Sequence, residues 1–307
     1  MHKGLHRYIL LLTGATFLLL VAGALVTSHD AGLATPDWPL SNGQVFPKMV
    51  GNLFWEHGHR LVATTVGLLT IGLNFYLYKC ESRRWVRGLG LAALCGVIAQ
   101  GLLGGLTVKL MLPLWVSAAH ATLAQLFFCT VVSLAVFTSA GWHNAHETQE
   151  EKGTVQLRYL CVAAVATIFL QLILGATLRH SAPWDRQLPN ELLLAHIGGA
   201  LAVTIVLGTV AFNTLRRHGS EKYLTGPAGI ALALLGAQLL LGVAAYLTRL
   251  ASPNDPQPLN PMVGVTVAHV ACGALVFATT IVLTLRVFKV LRPAEKSLRF
   301  SAAPQRG

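Results

Sequence analysis

The chain has 307 residues, of which 54% are hydrophobic and only 11% charged, and its mean hydropathy is +0.59. A soluble globular domain carries about 25% charged residues, so the composition excludes one and points to an all-α integral membrane protein. The formal charge of +11 does not mark a nucleic-acid binder, because its basic residues sort by alternate loops, as in a chain that crosses a bilayer repeatedly.

Largely apolar runs recur eight times, at about 8–28, 56–78, 88–108, 115–138, 158–178, 190–213, 226–247 and 261–288. Each reaches the roughly 18 residues that a membrane-spanning helix needs. The first run is too long, and too well supported by the seven after it, to be only a cleaved signal peptide, so it is read as the first membrane helix. Seventeen Lys and Arg residues fall on the side of the termini. Six fall on or near the other side, namely Lys48, Arg60, Lys109, Arg179, Arg186 and Arg249. By the positive-inside rule both termini are cytoplasmic. Cys80, Cys95, Cys129, Cys161 and Cys272 lie in helices or at their cytoplasmic ends, so no disulfide is predicted although the outer loops face an oxidising space.

In chain order, the first run carries Gly23 near its outer end and leads into the longest outer loop, about His29 to Asn52, which contains Pro36-Asp37-Trp38-Pro39. The second run opens on Trp55-Glu56-His57-Gly58-His59-Arg60. Ionisable groups at membrane depth cost roughly 2.5 kcal/mol or more each and are functional-site candidates by default. The third run carries Gln100, Gly104 and Lys109, and a tight turn leads through Pro113 to the fourth, with His120. A polar segment, Gly141 to Gly153 with Glu147, Glu150 and Glu151, reads as a solvated linker. Gln171, Gly175 and Arg179 then repeat the pattern of the third run, as do Gln238, Gly242 and Arg249 in the seventh. Pro189-Asn190 and Pro261 punctuate the starts of the sixth and eighth runs, which carry His196 and His269.

The four histidines stand at matching depth. A small residue precedes each (Gly58, Ala119, Ala195, Ala268) and another follows four later (Ala63, Ala124, Ala200, Gly273). Positions i and i+4 share a helix face, so each imidazole stands over a shallow notch suited to a flat ligand. The pattern predicts eight transmembrane helices as two tandem four-helix bundles. Residues 1–140 form the N-terminal half, 141–157 a cytoplasmic linker, 158–292 the C-terminal half and 293–307 a cytoplasmic tail.

A lone membrane histidine more often bonds a neighbour or lines a wet cavity than binds metal. Four at equivalent depth, with the same small flanks, favour a ligand role. Imidazole is an axial ligand of haem iron, and two helices of one bundle can clamp a porphyrin, giving His59 with His120 and His196 with His269. Zinc or copper is disfavoured, since the set lacks nearby cysteines or a carboxylate in each half. Only the first half has an acid three residues before its histidine: Glu56 stands where the other helices have Ser117, Leu193 and Thr266. A carboxylate there can move protons or stabilise a cation during oxidation; its bland reading is an interfacial partner for Arg60 or His57. The repeated glutamines read as interhelical hydrogen-bonders, with glycines allowing close approach. Arg179, Arg249 and Lys109 suit either haem propionates or snorkelling to the interface.

These residues resemble the haem A synthase family over nearly the whole chain. The resemblance rests on eight helices in two halves, on Glu56-His57-Gly58-His59-Arg60 as a Glu-x-x-His-Arg motif, on the later even-helix histidines and on the outer-loop segment from Gly32 to Gly43. It implies an oxidoreductase that converts the C8 methyl of haem O to a formyl group by successive hydroxylations, for terminal oxidase biogenesis. It implies that His59 and His120 attend the substrate haem, that Glu56 is essential, and that His196 and His269 hold a haem b cofactor. It further implies a cell (plasma) membrane location with the haem sites toward the outer face, a haem O synthase and a membrane electron donor as partners, and no nucleic acid; a homo-oligomer is compatible. Many relatives carry a cysteine pair in the first outer loop where this chain has Thr35 and Ser41, so electrons must arrive by a route other than a loop disulfide. Two rivals remain, a non-catalytic dihaem b electron carrier and a haem transporter or chaperone; the single acid at Glu56 favours the enzyme.

Overall fold

The computed structural model of the chain describes residues 2–146, 154–181, 188–251 and 259–291. Nine helices stand among them: α1 (Lys3–Ser28), α2 (Asn52–Cys80), α3 (Arg84–Lys109), α4 (Leu114–Phe137), the short α5 (Ala140–Asn144), α6 (Thr154–Ser181), α7 (Asn190–Arg217), α8 (Lys222–Leu250) and α9 (Asn260–Val290). All except α5 are long and apolar enough to cross a bilayer. The chain is therefore an all-α, multi-pass membrane protein, as its composition predicts.

Several helices outrun their apolar stretches. The α1 helix starts at Lys3 and α2 at Asn52, several residues before the hydrophobic runs begin. Near a bilayer the backbone's own helical hydrogen bonds remain the best partners for its N–H and C=O groups, so the helix continues while its polar side chains reach water. Prolines mark three starts: Pro113 and Pro189 cap α4 and α7, and Pro261 lies in the first turn of α9. A missing N–H costs nothing there, because that donor has no helical acceptor. The α5 helix takes up the first part of the predicted linker; Glu147, Glu150, Glu151 and Gly153 lie outside the described residues, as do Arg186 and the tail from Arg292 onward.

Membrane helices adjacent in the chain pack together, and α1 also meets α4, while α6 also meets α9. The α4 helix meets α6, and both α1 and α4 meet α9, across the middle of the molecule. One cluster of buried apolar side chains gathers Leu5, Leu12, Leu73, Leu77 and Phe127. A second gathers Leu207, Leu224, Phe277 and Leu283, and includes Phe128. The neighbours Phe127 and Phe128 thus enter different cores, which makes α4 a seam. Accordingly 56% of the apolar stretch of α4 and 50% of that of α9 is buried, against 22% or less in the other spans.

At the end bearing the N-terminus, side chains tie loops to helices. Arg83 bonds Glu81 (Nη2 to Oε2, 2.7 Å) and donates to the Phe137 carbonyl (3.0 Å). The Arg83 hydrogen bond to Glu81 holds that carboxyl down, at about 2. Arg158 donates to the Phe288 carbonyl at 3.1 Å and also to that of Leu291, pinning the start of α6 to the end of α9. All five cysteines are free.

Candidate functional site

Residues 30–44, in the loop between α1 and α2, fold back on the opening turns of α2. Ser41 and Gln44 exchange backbone hydrogen bonds (3.1 and 3.0 Å) across a two-residue turn in which Asn42 and Gly43 take φ of 52° and 70°. Glycine adopts that left-handed conformation freely and asparagine tolerates it. The Asp37 carboxylate accepts from the backbone N–H groups of Asn42 (2.9 Å) and Gly43 (2.7 Å) and from the Thr35 hydroxyl. The Gly43 N–H, followed by the Thr35 hydroxyl, holds the Asp37 carboxyl well below the usual carboxylate range. Trp38 lies over Gly105 of α3, where a Cβ would come within 2.8 Å of the indole.

The motif of α2 is spent largely on this loop. Glu56, only 4% exposed, accepts from the Thr35 backbone N–H through Oε2 (3.1 Å) and from Arg60 through Oε1. The Arg60 guanidinium spans the gap, donating from Nη1 to the carbonyls of Asp37 (3.0 Å) and Leu40 (2.6 Å) and to the Ser41 hydroxyl (3.2 Å). His57 faces away from His59, and its Nδ1 lies 2.8 Å from the Ser41 hydroxyl. The predicted interfacial pairing of Glu56 with Arg60 is therefore present. Both carboxylate oxygens are engaged within one helical turn of His59.

The four predicted ligands share one setting. Each imidazole lies with its Cε1 edge over a glycine of the preceding membrane helix: His59 over Gly23, His120 over Gly104, His196 over Gly175 and His269 over Gly242. A Cβ on those glycines would stand 3.2, 3.2, 3.0 and 3.1 Å from Cε1 respectively. Each of the four hairpins thus repeats one glycine-to-histidine contact. All four rings are half-buried, and Nδ1 of His59, His120 and His269 is buried without a hydrogen-bond partner.

The rings of His196 and His269 lie 6.4 Å apart, centroid to centroid, at 71°. Metal–imidazole bonds of about 2 Å put two axial imidazoles on one ion at centroid separations of about 6 Å, so this spacing fits one ion between them. Among the described residues no three His, Cys, Asp or Glu side chains converge on a common metal position. Two imidazoles supply only two donors, which suits a metal that brings its other ligands with it, as a porphyrin does.

The glutamines act between helices. Gln171 donates from Nε2 to the His196 carbonyl at 2.8 Å, and Gln238 Nε2 lies 3.3 Å from His269 Nε2. Gln238 also lies against Gly273, 3.2 Å from where its Cβ would be. In this structure an amide therefore covers the notch beside His269 that the sequence assigned to a flat ligand. Lys109 is exposed, whereas Arg179 turns inward and donates from Nη2 to the Ala24 carbonyl (3.1 Å) and the Ser28 hydroxyl (2.6 Å) of α1.

Sequence reasoning missed the glycine-to-histidine contacts, although it found both columns of residues. The signal was a glycine in each odd span and a histidine in the next, at spacings that unequal loops disguise. It also missed the roles of Thr35, Ser41 and Asn42, which carry no periodic signature.

A family model described as cytochrome oxidase assembly protein matches residues 48–183. The chain is 26% identical over 269 residues to the heme A synthase of Shouchella clausii, covering 81% of this chain and 88% of that protein. It is 29% identical over 261 residues to the heme A synthase of Symbiobacterium thermophilum, with 78% and 85% covered. Over a shorter stretch of 146 residues it is 36% identical to the heme A synthase of a Methylobacterium species, 41% of this chain and 39% of that one.

Proposed function

We infer that this chain, which is similar to several heme A synthases over about four fifths of its length, converts haem O to haem A, oxidising the C8 methyl to a formyl group by successive hydroxylations. The observation that carries the reading is the asymmetry at Glu56. Of four equivalent histidine hairpins, one alone has a buried carboxylate on the turn before its histidine. A dihaem electron carrier or a haem chaperone needs no such difference between halves.

In this reading residues 1–140 hold the substrate haem through His59 and His120, and residues 158–292 hold a haem b cofactor through His196 and His269. Bound haem b supplies one-electron redox chemistry to the site. The chain's own residues supply position and charge. The four glycines let the imidazoles seat close to the neighbouring helix. Arg60 and the Thr35 N–H hold the Glu56 carboxylate in place, where it can accept a proton from the substrate side or offset positive charge developing there. The loop from 30 to 44, fastened over the start of α2, restricts water from the outer face. The distribution of Lys and Arg supports cytoplasmic termini, with both sites toward the outer face of the plasma membrane. A haem O synthase and a membrane electron donor are the partners this chemistry requires.

Haem extraction and chromatography of the purified protein test the reading. Haem O or haem A is expected beside haem b in the wild type. Glu56→Ala is expected to keep haem b and form no haem A, whereas wild-type haem A levels in that variant would overturn the assignment. Glu56→Gln, which retains an acceptor for the Thr35 N–H, is expected to match Glu56→Ala if charge rather than loop support is the requirement.

A further inference from the structure

Three of the four hydroxyls on α4 are closed on the helix's own backbone: Thr122 donates to the Ala118 carbonyl, Thr130 to that of Leu126 and Ser133 to that of Cys129. Ser117 is the exception. It is only 3% exposed, and its Oγ is buried without a hydrogen-bond partner among the described residues. A buried, unpaired hydroxyl is costly, so this one needs a partner that its own helix does not supply.

The place of Ser117 in the bundle narrows what that partner is. The α1 and α3 helices each pack against both α2 and α4, which puts α2 and α4 at opposite corners of the first four membrane helices. Those two corners repeat one pattern. On α2 an exposed Phe54 is followed two residues later by the buried Glu56 and three later by His59; on α4 an exposed Trp115 is followed in the same steps by the buried Ser117 and by His120. Two residues turn an α-helix by about 200°, so Ser117 faces away from Trp115 and into the bundle. Three residues put it one turn from His120 on the same face. On α9, Thr266 holds the equivalent place before His269, but its hydroxyl is closed on the Met262 carbonyl. The unpartnered hydroxyl therefore belongs to the first pair alone.

A methyl substituent offers that hydroxyl nothing. The hydroxymethyl and formyl groups that successive hydroxylations leave in its place each carry an oxygen that accepts a hydrogen bond. Glu56 is engaged by the Thr35 N–H and by Arg60, and as a carboxylate it has no proton to donate. We propose that the Ser117 hydroxyl donates a hydrogen bond to the oxygen installed on the C8 substituent, and so holds the hydroxymethyl intermediate in place for the second hydroxylation. The assignment rests on the haem reading above, in which the reacting edge lies beside Glu56. A donor that gains its partner only after the first oxidation favours completion over early release.

Purified full-length wild type, Ser117→Ala and Ser133→Ala are compared in two measurements. Pigments are extracted from one portion and separated by chromatography; a second portion is loaded with haem A for resonance Raman spectroscopy, because a hydrogen bond to the formyl oxygen lowers its carbonyl stretching frequency. Ser117→Ala is expected to raise that frequency to that of a formyl without a donor, at wild-type haem b content. It is also expected to raise the ratio of hydroxymethyl haem to haem A about two- to tenfold, the range that one net hydrogen bond gives. Ser133→Ala, which removes a hydroxyl closed on its own helix, is expected to match wild type in both. A wild-type formyl frequency in Ser117→Ala would overturn the proposal whatever the product ratio. Wild-type protein that yields neither hydroxymethyl haem nor haem A would instead overturn the functional reading, so the two failures are distinguishable.

Discussion

Asp37 and Glu56 are carboxylates 19 positions apart, and their surroundings give them different tasks. Asp37 fastens the loop, using backbone N–H donors that neutral solvent cannot outcompete. Its carboxyl is depressed in the folded chain, first by the Gly43 N–H. A depressed carboxyl contributes stability above its unfolded value, about 3.9 for aspartate, and that contribution is lost as pH falls through the lower folded value. The loop is therefore expected to resist proteolysis equally at all pH values from about 5 upward, with cleavage within residues 30–50 rising several-fold in Asp37→Asn. A cleavage rate in the wild type that climbs between neutrality and pH 5 would count against this account. At this scale the sequence was partly legible. Ionisable residues in an apolar setting identify themselves by cost, which singled out Glu56, Arg60 and the histidines. Thr35, Ser41 and Asn42 carry no such cost in a loop, so their bonds to Asp37, His57 and Arg60 emerge only in three dimensions.

At the scale of the helix, the glycine beneath each histidine is the recurrent device. Gly175→Ala adds a methyl 3.0 Å from His196 Cε1, and overpacking of this kind costs about 1–3 kcal/mol. The same substitution adds about 0.5–1 kcal/mol of helix stability. The helix gain recovers only part of the packing cost, so the expected phenotype is reduced haem per polypeptide with a lowered melting temperature. Gly208→Ala in α7, where a Cβ meets open space, is the control and is expected to retain haem fully. Equal haem content in the two variants would refute the role assigned to the close approach. Spans and proline-marked starts were readable because hydropathy and proline act locally. Helix extents were underestimated where polar turns continue the helix beyond its apolar run, as at Lys3 and Asn52.

At the scale of the whole molecule, two cores meet along α4 and α9, and in the proposed reading each half carries one histidine pair. Separate cores predict separable sites. His196→Ala or His269→Ala is expected to abolish retained haem b, whereas His59→Ala or His120→Ala is expected to leave it bound. Absorbance spectra of the purified variants, normalised to polypeptide, decide this; an unchanged haem b spectrum in both second-half variants would reject the cofactor assignment. The internal repeat made the common setting of the four histidines and the proximity of His196 to His269 legible, since alternation of spans brings every even-span histidine to one side. The contacts of α1 with α9 and of Arg179 with α1 were not legible, because no periodic signal in a single chain reports packing between distant helices.

The fastening of the loop between α1 and α2 also bears on how the protein matures. Thr35 and Ser41, the two places where the resemblance noted in the sequence implies a cysteine pair in many relatives, are fully buried and hydrogen-bonded, Thr35 to Asp37 and Asn42 and Ser41 to His57 and Arg60. These bonds form as the chain folds. Closing this loop requires no thiol-oxidising catalyst, and a small-molecule reductant finds no bond there to cleave.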